Sequence, residues 1–179
     1  MELTVRYAEE GELSEIMAIH RAAFMEEDVA GLTADLLADP TAQPLLSLVA
    51  FDGEKAVGHI LFTAARFEPE INRRASILAP LGVLPDYQRR GVGKALVKHG
   101  MQVLTESGVE LLFVLGHPDY YPVFGFMPAG KRGFAAPYPI EAKNEDAWMV
   151  TALSGAPPDS PAVTVKCAAT MDRPEYWRE

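Results

Sequence analysis

A chain of 179 residues, 49% of them hydrophobic, is one domain of ordinary size, long enough to bury a single core. Its net charge of −9 argues against nucleic-acid binding, which depends on neutralising phosphates, and leans towards a neutral or cationic partner such as an amine. Its longest apolar runs are broken at Asp52, Gly53, Pro80 or Gly82, short of the roughly 20 residues a membrane helix needs. Glu2, Glu9 and Glu10 stand where a signal peptide would be basic, and the one cysteine, Cys167, has no intrachain partner. The expected compartment is therefore the cytoplasm, with no membrane association.

Leu3 to Tyr7 alternates apolar with polar and reads as a strand. Residues 12–24 follow as a helix with Leu13, Ile16, Met17, His20 and Phe24 on one stripe, where a histidine is more often a packed core residue than a catalyst. A second helix is expected from Asp28, a capping residue type, to about Ala38, ahead of Pro40. Residues 45–51 and 56–67 read as strands joined by Asp52-Gly53-Glu54-Lys55, where Asp-Gly is a hairpin signal. His59 lies in the second of these strands, either half-buried on a sheet face or as a base near an acceptor. Residues 68–74 form a polar loop.

Residues 77–108 organise the rest. An apolar run from Ile77 to Leu84, bounded by Pro85 and Asp86, reads as a buried strand. After a turn, Val92, Ala95, Leu96, His99, Val103 and Leu104 recur at helical spacing, and Gly108 stands where a helix would end. A helix start has free N–H groups and a favourable dipole for anions. Gly91 and Gly93 admit a ligand onto the backbone, and Arg89, Arg90 and Lys94 add positive charge, so a ligand bearing phosphates is expected. Those cations oppose the helix dipole by a few tenths of a kcal/mol each, a conflict that an anion removes. A P-loop would need Gly at position 88 and Ser or Thr at 95, where Gln88 and Ala95 stand. A dinucleotide fingerprint starting at Gly91 would need Gly or Ala at 96, where Leu96 stands.

Residues 111–116 read as a second buried strand, followed by His117-Pro118-Asp119-Tyr120-Tyr121-Pro122-Val123-Phe124-Gly125-Phe126. Residues 146–153 are expected as the last strand of the main sheet, 154–161 as a linker, and Val163 to Cys167 as a short strand. The domain is placed at 1–154, with the linker and tail at 155–179 packing on it.

Gln88-Arg89-Arg90-Gly91-Val92-Gly93 resembles the Q/R-x-x-G-x-G/A segment of the GNAT superfamily of acyl-CoA-dependent N-acyltransferases, in which the loop cradles the pyrophosphate of coenzyme A. Tyr121-x-x-x-Gly125-Phe126 is similar to that family's short helix and turn, whose tyrosine lies near the thioester sulfur. The wider pattern looks most like the small bacterial predicted N-acetyltransferases. The resemblance implies a three-layer α/β fold with a mixed central sheet flanked by helices. It also implies acetyl-CoA as acyl donor, no metal, and a primary amine of a small molecule or peptide as acceptor, attacked directly in a ternary complex. Residues 24–37 would line the acceptor side. Leu81, Gly82 and Val83 would lie along the pantetheine arm, one of their N–H groups serving as an oxyanion donor worth about 3 to 4 kcal/mol. Gln88 to Lys94 would hold the pyrophosphate, with Phe124 on the cofactor side.

Gly82 within a strand fits a bulge, a close approach, or simple packing. Tyr121, a phenol with pKa near 10, is the expected proton donor to the leaving thiolate, and Tyr120 would pack or line the cofactor side. The glutamate that many family members carry just before the Leu-x-Val pair is replaced by Ala79 and Pro80. His117, His59 and Glu68 are the replacements open to it, with His117 at the end of the strand beside the acetyl group. A non-catalytic acyl-CoA-binding or sensing module is the rival reading, and a monomer or homodimer the expected assembly.

Overall fold

The computed structural model describes residues 1–178. In chain order these form β1 (Leu3–Tyr7), α1 (Leu13–Phe24), α2 (Glu27–Leu37), β2 (Leu46–Asp52), β3 (Lys55–Glu68), β4 (Ala75–Val83), α3 (Val92–Glu106), β5 (Leu111–Leu115), β6 (Met127–Pro128), β7 (Phe134–Ala135), β8 (Trp148–Ala152) and β9 (Val163–Lys166). The sheet runs β1-β2-β3-β4-β5-β8-β6, with β9 pairing the far end of β3 and also β7. Asp52 and Gly53 turn β2 back antiparallel onto β3, and α3 carries the chain across the sheet so that β4 and β5 lie parallel.

Period-2 alternation divides the core between the two faces. Leu61, Ile77, Phe113 and Val150 pack with Leu36 of α2 on one side. On the other, Ile60, Phe62, Leu78, Leu112 and Val114 pack with Val92, Leu96 and Val97 of α3. This is the expected three-layer α/β arrangement, with a mixed sheet between helices. No helix among the described residues is long and apolar enough to cross a membrane.

Several local expectations change. The second helix begins at Glu27 rather than behind an Asp28 cap, and no side chain caps it. The buried face of α3 is Val92, Leu96, Val97, Gly100 and Leu104, whereas Ala95, His99 and Val103 lie at its margins. The face turns this way because Gly100 sits flat on Phe62, where a Cβ would come within 2.3 Å of the ring. Residues 142–147 are a 3-10 turn that shortens the expected last strand, and the two-residue strands β6 and β7 were not foreseen.

The site depends most on a bulge in β4. Ile60 pairs with Leu81 and Phe62 with Leu78, so β4 spends three residues where β3 spends two. The extra residue falls at Ala79–Pro80, where proline has no N–H to give a ladder. Pairing with β5 runs from Ala75↔Leu111 to Leu78↔Val114 and stops there, so the two strands part beyond the bulge. Of the readings open for Gly82, the bulge is not the one found, since Gly82 pairs regularly with His59.

After β8 the chain returns to the main body. β9 adds to β3, and the Trp177 ring lies edge-on to Trp148 at 5.6 Å while its Nε1 donates to the Met171 carbonyl at 3.0 Å. Asp39, at the end of α2, accepts from the backbone N–H groups of Thr41 and Thr170 and from both hydroxyls, at 2.7–3.0 Å. These bonds, the Thr41 hydroxyl first, hold its carboxyl well below the usual carboxylate range. If the tail belongs to the same cooperative core, Trp177→Ala should lower stability by about 3 to 5 kcal/mol in a single urea transition. A separate early transition, or unchanged stability, would mean that the tail is an independent appendage.

Candidate active site

Where β4 leaves β5, one strand edge is left without a partner. The Leu84 N–H donates to the Val57 carbonyl at 2.9 Å, and antiparallel alternation then fixes the parity of the preceding residues. Gly82 turns its N–H and C=O towards His59 on β3, whereas Leu81 and Val83 turn theirs to the vacated edge. In agreement, the Val83 carbonyl accepts from the Gln88 side chain, at 3.1 Å, rather than from a neighbouring strand.

The edge leads directly to the start of α3. Gly91 precedes the helix at φ 88°, a left-handed conformation that favours glycine, and Arg89 sits at φ 60°. No side chain caps this helix, and its first helical bond is Ala95 N–H to Gly91 C=O at 3.0 Å. The N–H groups of Val92, Gly93 and Lys94 are therefore free for an anion.

Edge and helix start share one cleft of about 810 Å³, into which Gln88, Arg89 and Lys94 project. A second depression of about 480 Å³ contains Arg66, Arg73 and Arg74, but each already donates to a backbone carbonyl, of Thr41, Pro157 and Ser107 respectively. Of these two, the first cleft joins open backbone donors to cations, Arg89 and Lys94, that make no ion pair among the described residues.

An aromatic cluster closes the cleft beyond β5. Tyr120 lines it, with its hydroxyl 2.9 Å from where a Cβ on Gly93 would stand. Tyr121 lies edge-on to Tyr120 at 5.0 Å and packs against Gly116 at the end of β5. Tyr121 itself is buried and does not line the cleft, which Tyr120 does; its hydroxyl is not among the sealed polar atoms. Burial raises both phenols, and Tyr120 raises Tyr121 further, so both stay protonated at neutral pH. Phe124 packs between these rings at 5.5 and 6.4 Å and does not line the cleft.

The remaining expected residues are distributed as follows. His117 is exposed on the cleft wall. Arg90 turns away, stacking its guanidinium 4.9 Å over the Tyr87 ring and donating to the Asp86 carbonyl. The Val92 side chain is buried in the core, leaving its N–H as its contribution to the site. Glu68 ends β3 at the opposite end, beside Lys166, and is too remote to replace the absent glutamate.

On the other face of β4 the sequence reading missed an assembly. His59 is fully buried rather than half-buried, with its Nδ1 2.8 Å from His20 Nε2 and its Nε2 2.8 Å from Ser47 Oγ. His20 Nδ1 points at Gly82, where a Cβ would lie 2.6 Å from it, which explains the glycine. Ala23 and Phe24, further along α1, line the cleft beside it. Burial lowers His20 to about 4, and burial with the neighbouring His20 lowers His59 to about 3, so both rings are neutral at pH 7. Among the described residues no three His, Cys, Asp or Glu side chains group closely enough to hold a metal ion.

A three-layer α/β fold with a split sheet running into an uncapped helix start defines an acyltransferase of the acyl-CoA-dependent class. The family profile "Acetyltransferase (GNAT) domain" matches residues 4–129. The chain is 44% identical over 156 residues to the uncharacterised N-acetyltransferase YjhQ of Escherichia coli K12, covering 86% of each chain. It is 31% identical over 140 residues to YhbS of the same strain, covering 78% of this chain and 80% of that one. The crystal structure of Escherichia coli YhbS in complex with CoA matches with a TM-score of 0.86 at 26% identity, covering 97% of this chain and 93% of that one. A Brucella melitensis GNAT family acetyltransferase in complex with acetyl-CoA matches with a TM-score of 0.75 at 25% identity, covering 96% and 99%. The chain belongs to the GNAT family of N-acetyltransferases.

The buried histidines make stability depend on pH in a defined direction. Both folded values lie below the 6.5 of an ordinary histidine, so between pH 6.5 and about 4 the unfolded chain binds protons that the folded one does not. Their contribution is complete above 6.5 and falls with pH by about 1.4 kcal/mol per unit for each histidine. Thermal unfolding across this window should be steeply pH-dependent, and distinctly flatter in the double variant His20→Gln, His59→Gln. Equal slopes would assign the effect to other groups.

Proposed function

We propose that this protein is an acetyl-CoA-dependent N-acetyltransferase that acetylates a primary amine of a small molecule or peptide by direct attack in a ternary complex. The observation that carries this reading is the freed β4 edge running straight into the uncapped start of α3 within one cleft. Acetyl-CoA supplies the activated acetyl thioester. The Val92, Gly93 and Lys94 N–H groups, with Arg89 and Lys94, offer the donors and positive charge that a pyrophosphate needs. Along the edge, the Leu81 or Val83 N–H is aimed to stabilise charge on a carbonyl oxygen, an interaction worth about 3 to 4 kcal/mol where measured. Tyr121 gives its proton to the departing sulfur, for which a raised phenol pKa keeps it in the donating form. Tyr120 packs along the cleft wall, and His117 passes protons to solvent. The protein acts in the cytoplasm as a monomer or homodimer.

Calorimetric titration with acetyl-CoA tests the donor site. Wild type should bind saturably, ATP and NAD should not compete, and Gly91→Glu should abolish binding. A wild type that binds nothing would remove the enzyme reading altogether. Separately, Tyr121→Phe should cut turnover about 100-fold or more with acetyl-CoA affinity nearly unchanged. If Tyr120→Phe is the slow variant instead, the donor role passes to Tyr120. If both variants bind but neither slows, the binding-only rival gains.

A further inference from the structure

Among the described residues three buried side-chain polar atoms lack any hydrogen-bond partner: His20 Nδ1, Thr63 Oγ1 and Arg73 Nη2. Such an atom costs roughly 1 to 3 kcal/mol and calls for a reason. Thr63 lies deep in β3 opposite Ile77, and Arg73 lies in the loop before β4, at the end of that strand away from the split. Only His20 Nδ1 adjoins the cleft, across the bare Cα of Gly82 and within one turn of Ala23 and Phe24. The Phe24 ring, which lines the cleft, stacks on His20 at 6.0 Å and is itself exposed, so it stands between the imidazole and solvent on that side.

Building on the acyl-transfer reading above, we propose that His20 Nδ1 is the proton acceptor for the attacking amine, with His59 and Ser47 as positioning residues that fix its tautomer. The bond chain allows two polarities. In one, His20 Nε2–H donates to His59 Nδ1 and His59 Nε2–H donates to Ser47 Oγ, leaving His20 Nδ1 with a free lone pair. In the other, His20 Nδ1 carries a proton and faces Gly82 as an orphaned donor. Buried N–H groups without acceptors are rarer than unsatisfied acceptors, which favours the first. Ser47 is half-buried, so its hydroxyl ends the chain near solvent.

The proton balance is simple. The amine nitrogen forms a bond to the carbonyl carbon, the carbon–sulfur bond breaks, and the amine proton passes to His20 Nδ1. The sulfur takes its proton from the Tyr121 hydroxyl. His20 then loses its proton to solvent while Tyr121 regains one, leaving an amide and a thiol.

This geometry also restricts the acceptor. The groups facing the imidazole pair are Ser47 of β2, Gly82 of β4 and Phe24 of α1, and apart from the effect of His20 on His59 the rings' proton affinity is set by burial, with no carboxylate among its causes. Without a carboxylate behind it, the dyad cannot strip a proton from an alkylammonium ion and accepts one only as the new bond acidifies the nitrogen. The acceptor class that fits is an amine that arrives neutral, such as an aromatic amine, hydroxylamine or hydrazine.

Two measurements test the assignment. Nitrogen-15 NMR of the imidazoles in the acetyl-CoA-bound protein should show His20 protonated at Nε2 and bare at Nδ1; a proton on Nδ1 overturns the proposal. Thiol release should be measured with hydroxylamine and aniline, neutral at physiological pH, and with benzylamine, which is protonated there. Wild type should favour the neutral pair, and His20→Gln, which retains a donor towards His59, should lower kcat/KM for them about 100-fold or more. Its calorimetric acetyl-CoA affinity should stay within about twofold. His20→Asn, with a polar but non-basic atom near Nδ1, should be equally slow. Undiminished rates in either folded variant, or a preference for benzylamine, sink the His20 assignment while leaving the acetyltransferase reading intact; a wild type that fails to bind acetyl-CoA sinks both.

Discussion

The site follows from one missing hydrogen-bond donor. Pro80 has no N–H, and it stands where β4 must carry an extra residue, so the ladder to β5 ends at Leu78↔Val114. A strand in mid-sheet would ordinarily have both edges paired. Here the edge beyond the bulge is left with polar groups of Leu81 and Val83 that Gln88 satisfies only in part. A central strand with an open edge needs an external partner, and the cleft beside it gives one room. The presence of Ala79-Pro80 where many family members carry a glutamate is thus compatible with the strand's other task, since the bulge does not depend on a carboxylate.

The same strand serves two chemistries because its edge and its faces are independent. Its edge parity assigns the backbone of Leu81 and Val83 to the donor side. Its face parity assigns Gly82 to the side of α1, where His20 and Ala23 approach within contact of the absent Cβ. A one-residue slip would exchange these roles and drive Leu81 into His20. The bulge sets that register, so the histidine dyad and the open edge are fixed by a common cause. The electrostatics agree: an overall charge of −9 coexists with a local cationic helix start, and among the described residues Arg89 and Lys94 form no ion pair at the cleft. Arg90, by contrast, is already engaged with Tyr87 and the Asp86 carbonyl.

Much of this was legible in the sequence, where local rules act. Asp52-Gly53 announced its hairpin, and the glycine turn after an apolar run announced an anion site at a helix start. What failed to show was contact across distance. His20 and His59 are 39 residues apart; His20 read alone as a packed core histidine and His59 as either a sheet-face residue or a base, and nothing in the sequence joined them. Gly82 and Gly100 looked alike as glycines within regular elements, yet one makes room for an imidazole and the other for Phe62. Periodicity assigned the α3 face by hydrophobicity, and a glycine has no side chain to register in that count. Pro80 was the available signal for the bulge, since proline inside a strand points to one, but Gly82 drew the inference instead. Arg90 and Phe124 were placed by the family resemblance, which says nothing of which way a side chain turns.

The histidine dyad bears on whether the cleft binds or reacts. A module that only held an acyl-CoA would be complete with the open β4 edge and the α3 N–H groups, both on the donor side. It would gain nothing from an imidazole sealed behind Gly82 on the opposite face, kept neutral by burial and with its Nδ1 left without a partner. That arrangement carries a desolvation cost with no return in packing, since a leucine in place of His20 would bury more apolar surface and leave no orphaned atom. The cost is understandable if the orphaned nitrogen acquires its partner when an amine enters between Phe24 and Gly82. Binding an acyl donor accounts for one side of the strand, and transferring the acyl group accounts for both.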